Sequence, residues 1–314
     1  MKHLPFETTP IDAVCYHSKK CKLERTFFKR DDNFGKNGGG SKARMLQYIF
    51  GNINSSNCEV LVTAGGPCSN FNRSCALLCA QLGIKMHLIV YSEHEEEFSK
   101  SENYFICQIS NVIITKCNKC DVAQTIASVM HEYEKRGIKA RNIYGGGRSL
   151  EGIYAYYDAV RELKEQIGKQ CIDRIYVACG TGTTVSGILA GCQKYLPETK
   201  VYAISVARKK EIEMPVIEEN LKWLNSYLSS SYDTNNLIFN DDYIGGEYGA
   251  TGAGLIDFIK DFISQTGILI DPIYSGKALF GMADILRQHD NNGVSLFWHT
   301  GAIYTLLSNR DKFL

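Results

Sequence analysis

Only six prolines interrupt the 314 residues, and no low-complexity tract or repeat of fixed period accompanies them, which argues against a disordered chain. An excess of charge is missing as well. Thirty-five Lys+Arg stand against 34 Asp+Glu, a balance of +1, so the whole-chain field of a nucleic-acid binder or a polybasic membrane protein is absent. No run reaches the ~18 apolar residues of a membrane span, and residues 1–12 lack the apolar core of a signal peptide. The expectation is a cytoplasmic protein with no nucleic-acid and no membrane partner. What is present is 44% hydrophobic residues in a chain long enough for a large core and about two domains.

Twelve cysteines are about one in 26 residues of a chain that needs no staples to fold. Several stand in apolar runs, as Cys75 and Cys79 do in CALLCAQLG, where a thiol acts as a small hydrophobe. They are read as mostly buried and reduced. Cys117 and Cys120 form one CxxC, but no second pair or spaced histidines complete a zinc site, so no metal is expected.

Short β-rich runs alternate with helical patterns, as in parallel α/β folds. Strands are predicted at 59–64, 86–91, 111–116, 174–179, 200–206, 267–270 and 294–298. Helices are predicted at 70–82, 121–135, 150–166, 185–195, 252–264 and 277–288, with polar interruptions at 91–103 and 209–242. An all-α or all-β architecture does not fit this alternation.

Open α/β sheets place ligands at loops that leave strands and open helices. Three such junctions stand out: residues 63–70, 178–184 and 271–277. The second, Ala178-Cys179-Gly180-Thr181-Gly182-Thr183-Thr184, suits an anion, since glycines allow a tight turn, threonines add hydroxyl donors and a helix N-terminus follows. Nucleotide motifs fail there: GxGxxG needs glycine at Val185, the Walker pattern needs lysine at Ile188, and the next strand ends at Arg208 without an acid for a ribose. At the first junction Ser69 and Asn70 read either as an N-cap or as donors to a substrate carboxylate, and the residues alone leave both open. Lys42 follows Gly38-Gly39-Gly40-Ser41 and opens the apolar-periodic stretch 43–50. A lysine there is ordinarily a solvated charge; desolvated, its amine suits an aldehyde-bearing phosphate cofactor.

In chain order, GGGSKARMLQYIF, LVTAGGPCSNFNRSCALLCAQLG, YGGGRSLEG, ACGTGTTVSGILAG, GGEYGATGAG, GILIDPIYSGKALFGM and FWHTGAIYTLL run from about residue 38 to 307. The ordered set resembles the pyridoxal-phosphate enzymes of the D-cysteine desulfhydrase and 1-aminocyclopropane-1-carboxylate deaminase family, in the tryptophan-synthase-β-like (fold type II) group. The resemblance implies an α/β fold of two open, mostly parallel twisted sheets flanked by helices. It places pyridoxal 5'-phosphate between a large lobe (1–45 and 149–314) and a small one (46–148), and it implies a homodimer.

Residue by residue, it implies that Lys42 condenses with the cofactor and that Gly180, Thr181, Gly182, Thr183 and Thr184 hold its phosphate. Asn70 matches the asparagine near the phenolic oxygen, Ser69 the serine beside the substrate carbon, and Tyr248 and Tyr274 two active-site tyrosines. Phe71 lines the substrate side, and Ser275 falls where a side chain faces the pyridine nitrogen. A hydroxyl there leaves that nitrogen unprotonated and the electron sink weaker than a carboxylate would. Ser275 therefore leans toward α,β-elimination of a small amino acid, whereas Glu247 of Glu-Tyr-Gly looks more like the deaminase form. Against the family pattern, Ser41 replaces asparagine, Met45 a lysine near the phosphate, Cys68 a glutamine and Phe71 a histidine or glutamine. These changes imply a different or bulkier substrate. Ring opening, β- or γ-replacement and a catalytically silent cofactor binder are the competing readings. His299 is read as a hydrogen-bonded histidine at a strand end.

Overall fold

A computed structural model describes residues 1–18, 22–35, 38–54, 56–246, 249–288, 293–301 and 303–314. Among the described residues ten strands form two sheets: β1 (Ile11–His17), β2 (Lys22–Lys29), β3 (Val60–Gly65), β4 (Lys85–Val90), β5 (Ile113–Lys116), β6 (Ala140–Asn142), β7 (Arg174–Cys179), β8 (Lys200–Ser205), β9 (Leu237–Asn240) and β10 (Ser295–Trp298). The larger sheet runs β1-β2-β10-β7-β8-β9 and the smaller β5-β4-β3-β6. Every pairing is parallel except β1 with β2, as crossover helices require. The helices are α1 (Gly40–Ile49), α2 (Asn70–Gln81), α3 (Glu96–Lys100), α4 (Glu102–Ile109), α5 (Val122–Lys135), α6 (Leu150–Ile167), α7 (Thr183–Tyr195), α8 (Lys210–Leu228), α9 (Leu255–Thr266), α10 (Ser275–Gln288) and α11 (Ile303–Ser308). None is long and apolar enough to cross a membrane.

Both sheets are covered on both faces, and side-chain alternation decides which core each residue joins. In β7, Ile175, Val177 and Cys179 pack with α6, α7 and α8, while Tyr176 points the other way, into the core under α9 and α10. In β3, Leu61 joins α2 and α4, and its neighbours Val60 and Val62 face α5. Cys58, Cys75, Cys79, Cys107, Cys179 and Cys192 are buried free thiols, and Cys21 lies outside the described residues.

Residues 267–270 form no strand. Gly267, left-handed at φ 68°, caps α9 through its N–H to Ile263 O. Ile268 and Ile270 then bury into the core, and the Leu269 carbonyl accepts from His299 Nε2 at 2.8 Å instead of from a neighbouring strand. Residues 209–242 hide the 19-residue α8 and β9. Helix α8 buries only a narrow stripe including Ile217, Leu221 and Leu224, with Pro215 inside it. Its sequence therefore reads as polar.

Candidate functional site

A cavity of about 940 Å3 opens between the two sheets, where the carboxyl ends of β3 (Ala64, Gly65) and β7 (Ala178, Cys179) meet. Lys42, Ser69, Asn70, Phe71, Tyr274 and all of Gly180, Thr181, Gly182, Thr183 and Thr184 line it. Residues from three distant junctions thus converge on one space. Tyr248 and Glu247 lie outside the described residues.

Lys42 stands in the first turn of α1, whose approach to the cavity is fixed at its start and beneath it. Gly40, at φ 61°, passes so close to the Thr300 carbonyl that a Cβ would lie 2.5 Å from it, and Ser41 N donates to the same oxygen at 2.9 Å. Only glycine permits both. One turn deeper, the buried Arg44 guanidinium donates to Asp31 and Glu162, and Lys29, Tyr156 and Trp298 complete the group. Burial alone would push the Asp31 carboxyl up, but Arg44 and Lys29 hold it below the ordinary range. Breaking one member of such a buried group would leave an uncompensated charge, at roughly 3–5 kcal/mol.

The Lys42 amine donates to the Gly146 carbonyl at 2.8 Å and lies 4.0 Å from Met45 Sδ. Among the described residues no carboxylate pairs with it. Burial lowers its pKa from 10.5 to about 8, so a useful fraction is the neutral nucleophile near neutral pH.

The loop of residues 180–184 has the geometry of an anion cup. Gly182 adopts φ 71°, and no side chain caps α7 after it, so the first-turn N–H groups are left for a ligand. The Thr183 hydroxyl is buried and has no partner among the described residues. A buried unpaired hydroxyl costs about 1–3 kcal/mol, a penalty that a bound phosphate oxygen removes. Together with the desolvated Lys42 amine, this donor set fits pyridoxal phosphate.

Ser69 is the N-cap of α2, its Oγ accepting from Asn72 N at 3.2 Å, and it also lines the cavity. The Asn70 amide donates to Thr305 at 2.9 Å and accepts from Arg73 at 3.2 Å, which fixes its orientation. Phe71 is 1% exposed, and Cys68 lies nearby with its thiol pushed up by burial and by Glu97. Ser275 is not among the lining residues. Its hydroxyl donates to the buried Asp271 carboxylate at 2.6 Å, in a turn whose N–H groups at Ile273, Tyr274 and Ser275 the same carboxylate gathers. His299 is likewise engaged away from the cavity, Nε2 donating to Leu269 and Nδ1 accepting from Gly301 N.

Sequence reasoning passed over Arg208, Thr300, Tyr91 and Cys120, which also line the cavity. Arg208 and Thr300 carry one recoverable signal: each closely follows the carboxyl end of a parallel strand.

A model of pyridoxal-phosphate-dependent enzymes matches residues 4–301. The D-cysteine desulfhydrase of Serratia proteamaculans is 29% identical over 310 residues, covering 96% of this chain and 93% of its own. A putative 1-aminocyclopropane-1-carboxylate deaminase of Pyrococcus horikoshii is 28% identical over 314 residues, covering 99% and 94%. A solved structure described as an ACC deaminase homologue superposes with a TM-score of 0.85 at 27% identity, over 99% of this chain and 95% of that one. Fold, cavity and comparisons agree: the chain belongs to the family of pyridoxal-phosphate-dependent enzymes.

Proposed function

We propose that the enzyme is a lyase that removes a β-leaving group such as thiolate from a small amino acid, of the D-cysteine desulfhydrase type, yielding a 2-oxo acid and ammonia. The observation that carries this reading is the meeting of the lowered-pKa Lys42 amine and the threonine loop in one cavity. Bound pyridoxal phosphate supplies an electron sink for the α-carbon of the amino acid. Residues 180–184 would hold its phosphate, and Asn70, anchored by Thr305 and Arg73, would serve its ring oxygen. The Lys42 Nζ would be the amine that holds the cofactor aldehyde and would move the α-proton of the substrate. Ser69 receives the substrate carboxylate, while Tyr274 and Tyr248 orient the substrate and assist proton transfer. The residue type at position 275, serine where a carboxylate would strengthen the sink, favours elimination of a good leaving group over ring opening, although the folded Ser275 hydroxyl is engaged by Asp271 outside the cavity lining.

The same proposal assigns residues 1–45 and 149–314 to a cofactor lobe and 46–148 to a smaller lobe, in a cytoplasmic homodimer. Purified protein is expected to show a visible absorption band that borohydride bleaches. It is also expected to release sulfide from D-cysteine faster than 2-oxobutyrate from aminocyclopropane carboxylate or new amino acids from O-acetylserine. A faster release of 2-oxobutyrate would replace elimination with ring opening. A band with no turnover and no α-proton exchange would mark a silent binder.

A further inference from the structure

Four described cations line the cavity: Lys42, Arg73, Lys119 and Arg208. Lys42 carries the proposed nucleophile. Arg73 is engaged within the fold, donating to Asn103, Ser74 and the Gly38 carbonyl, with its guanidinium 4.2 Å over the Tyr304 ring. Lys119 stands on the rim supplied by the smaller sheet, 68% exposed and 3.5 Å from Glu93. On the α1 side, Met45 is fully buried and brings a thioether rather than a charge. The cup itself offers hydroxyls, N–H groups and a helix N-terminus, all neutral donors to what would be a dianion.

Arg208 is different because the sheet delivers it to the cup. Strands β7 and β8 are parallel neighbours, with Cys179 opposite Ser205 and Val206 N donating to Cys179 O at 3.0 Å. The chain leaving β8 therefore runs beside the chain entering the threonine loop. Ser205 Oγ ties that exit, accepting from Arg208 N at 3.2 Å and donating to Arg208 O. The Glu213 carboxylate then sits against both loops. Its Oε2 accepts from Arg208 Nη1 at 3.1 Å, and its Oε1 lies 2.9 Å from where a Cβ on Gly182 would stand. Glu213 is fully buried while the Arg208 side chain keeps 42% exposure, so the guanidinium is anchored from behind and its remaining donors are accessible.

We propose that Arg208 is the counter-cation of the cofactor phosphate, held beside the Gly182 turn by Glu213 as a positioning residue. This assignment rests on the pyridoxal-phosphate reading of the same cavity. A guanidinium fork on a phosphate adds charge-assisted hydrogen bonds that the neutral cup cannot supply.

The test measures dissociation constants of apoprotein for pyridoxal phosphate and for pyridoxal, which is the same aldehyde without the phosphate. Arg208→Ala is expected to weaken pyridoxal phosphate by roughly tenfold to a hundredfold and pyridoxal by less than about twofold. At saturation the borohydride-sensitive band is expected to be unchanged. Arg208→Gln, which still donates to Glu213, is expected to give the same selective loss and serves if the alanine variant does not fold. Equal loss for both ligands, or none for either, overturns the assignment while a band in the unaltered protein leaves the functional reading standing. No band in the unaltered protein overturns both.

Discussion

The cavity has two unlike walls. The wall from the larger sheet, residues 178–185 with Arg208, presents hydroxyls, helix N–H groups and a guanidinium; that from the smaller sheet presents Phe71, Cys68, Val122, Ala123 and Ile126. The first is built for an anion of fixed chemistry, and its elements follow from strand order: β7 and β8 must end side by side. The second is set by individual side chains, apolar ones on α2 and α5 beside Ser69, Asn70, Glu97 and Lys119, so the fold leaves its chemistry free to differ. On the proposed function, holding the cofactor and choosing the substrate are thus expected to be separable.

Four substitutions bear on that separation, from the largest expected effect to the smallest. Lys42→Ala removes the group on which both walls converge, and turnover is expected to fall roughly 10³-fold or more, with loss of the visible band. In the unaltered protein the same amine titrates at about 8, lowered by burial, so the rate of cofactor incorporation should rise with pH through 8 as the neutral form appears. A rise still climbing at pH 10 would show that the amine is solvated. Gly182→Ala places a Cβ 2.9 Å from Glu213 and 3.0 Å from Ile217 at a left-handed position. It should lower stability by about 1–2 kcal/mol and weaken pyridoxal phosphate by roughly tenfold or more, read by denaturant titration and cofactor fluorescence.

Thr183→Val separates folding from binding more sharply. The hydroxyl has no partner among the described residues, so stability without cofactor should hold or rise, while cofactor affinity falls about fivefold to tenfold. A loss of stability without cofactor would mean that the hydroxyl serves the fold. On the other wall, Cys68→Gln is expected to change the KM for D-cysteine by roughly twofold to fivefold and leave cofactor affinity unaltered. An equal change in cofactor affinity would show that the two walls are coupled.

Much of this could be read from residues alone. Strand 174–179 and the helix starting at residue 70 are observed within a residue because each pairs a strong period with a clear stop, at Gly180 and at the Ser69 cap. The threonine loop was legible as an anion site because its chemistry is local. Strands β1 and β2 were not: their meaning depends on pairing with each other and with β10, far along the chain. The 267–270 run has strand composition but pairs with no strand among the described residues, and α8 buries too narrow a stripe to show its period. Arg208 was missed for the same reason as β2, since the strand end that delivers it, at Ser205, pairs with Cys179, 26 residues away in sequence. Ser275 shows the converse: its position follows from the motif, but its hydroxyl bond to Asp271 appears only once the turn is folded.

The most direct test of the account is to reduce the cofactor-loaded protein with borohydride, digest it and locate the pyridoxyl group by mass spectrometry. The account requires the adduct on the peptide carrying Lys42, with yield lowered by excess inorganic phosphate competing for the threonine loop. An adduct on any other lysine, or none at all, would contradict it.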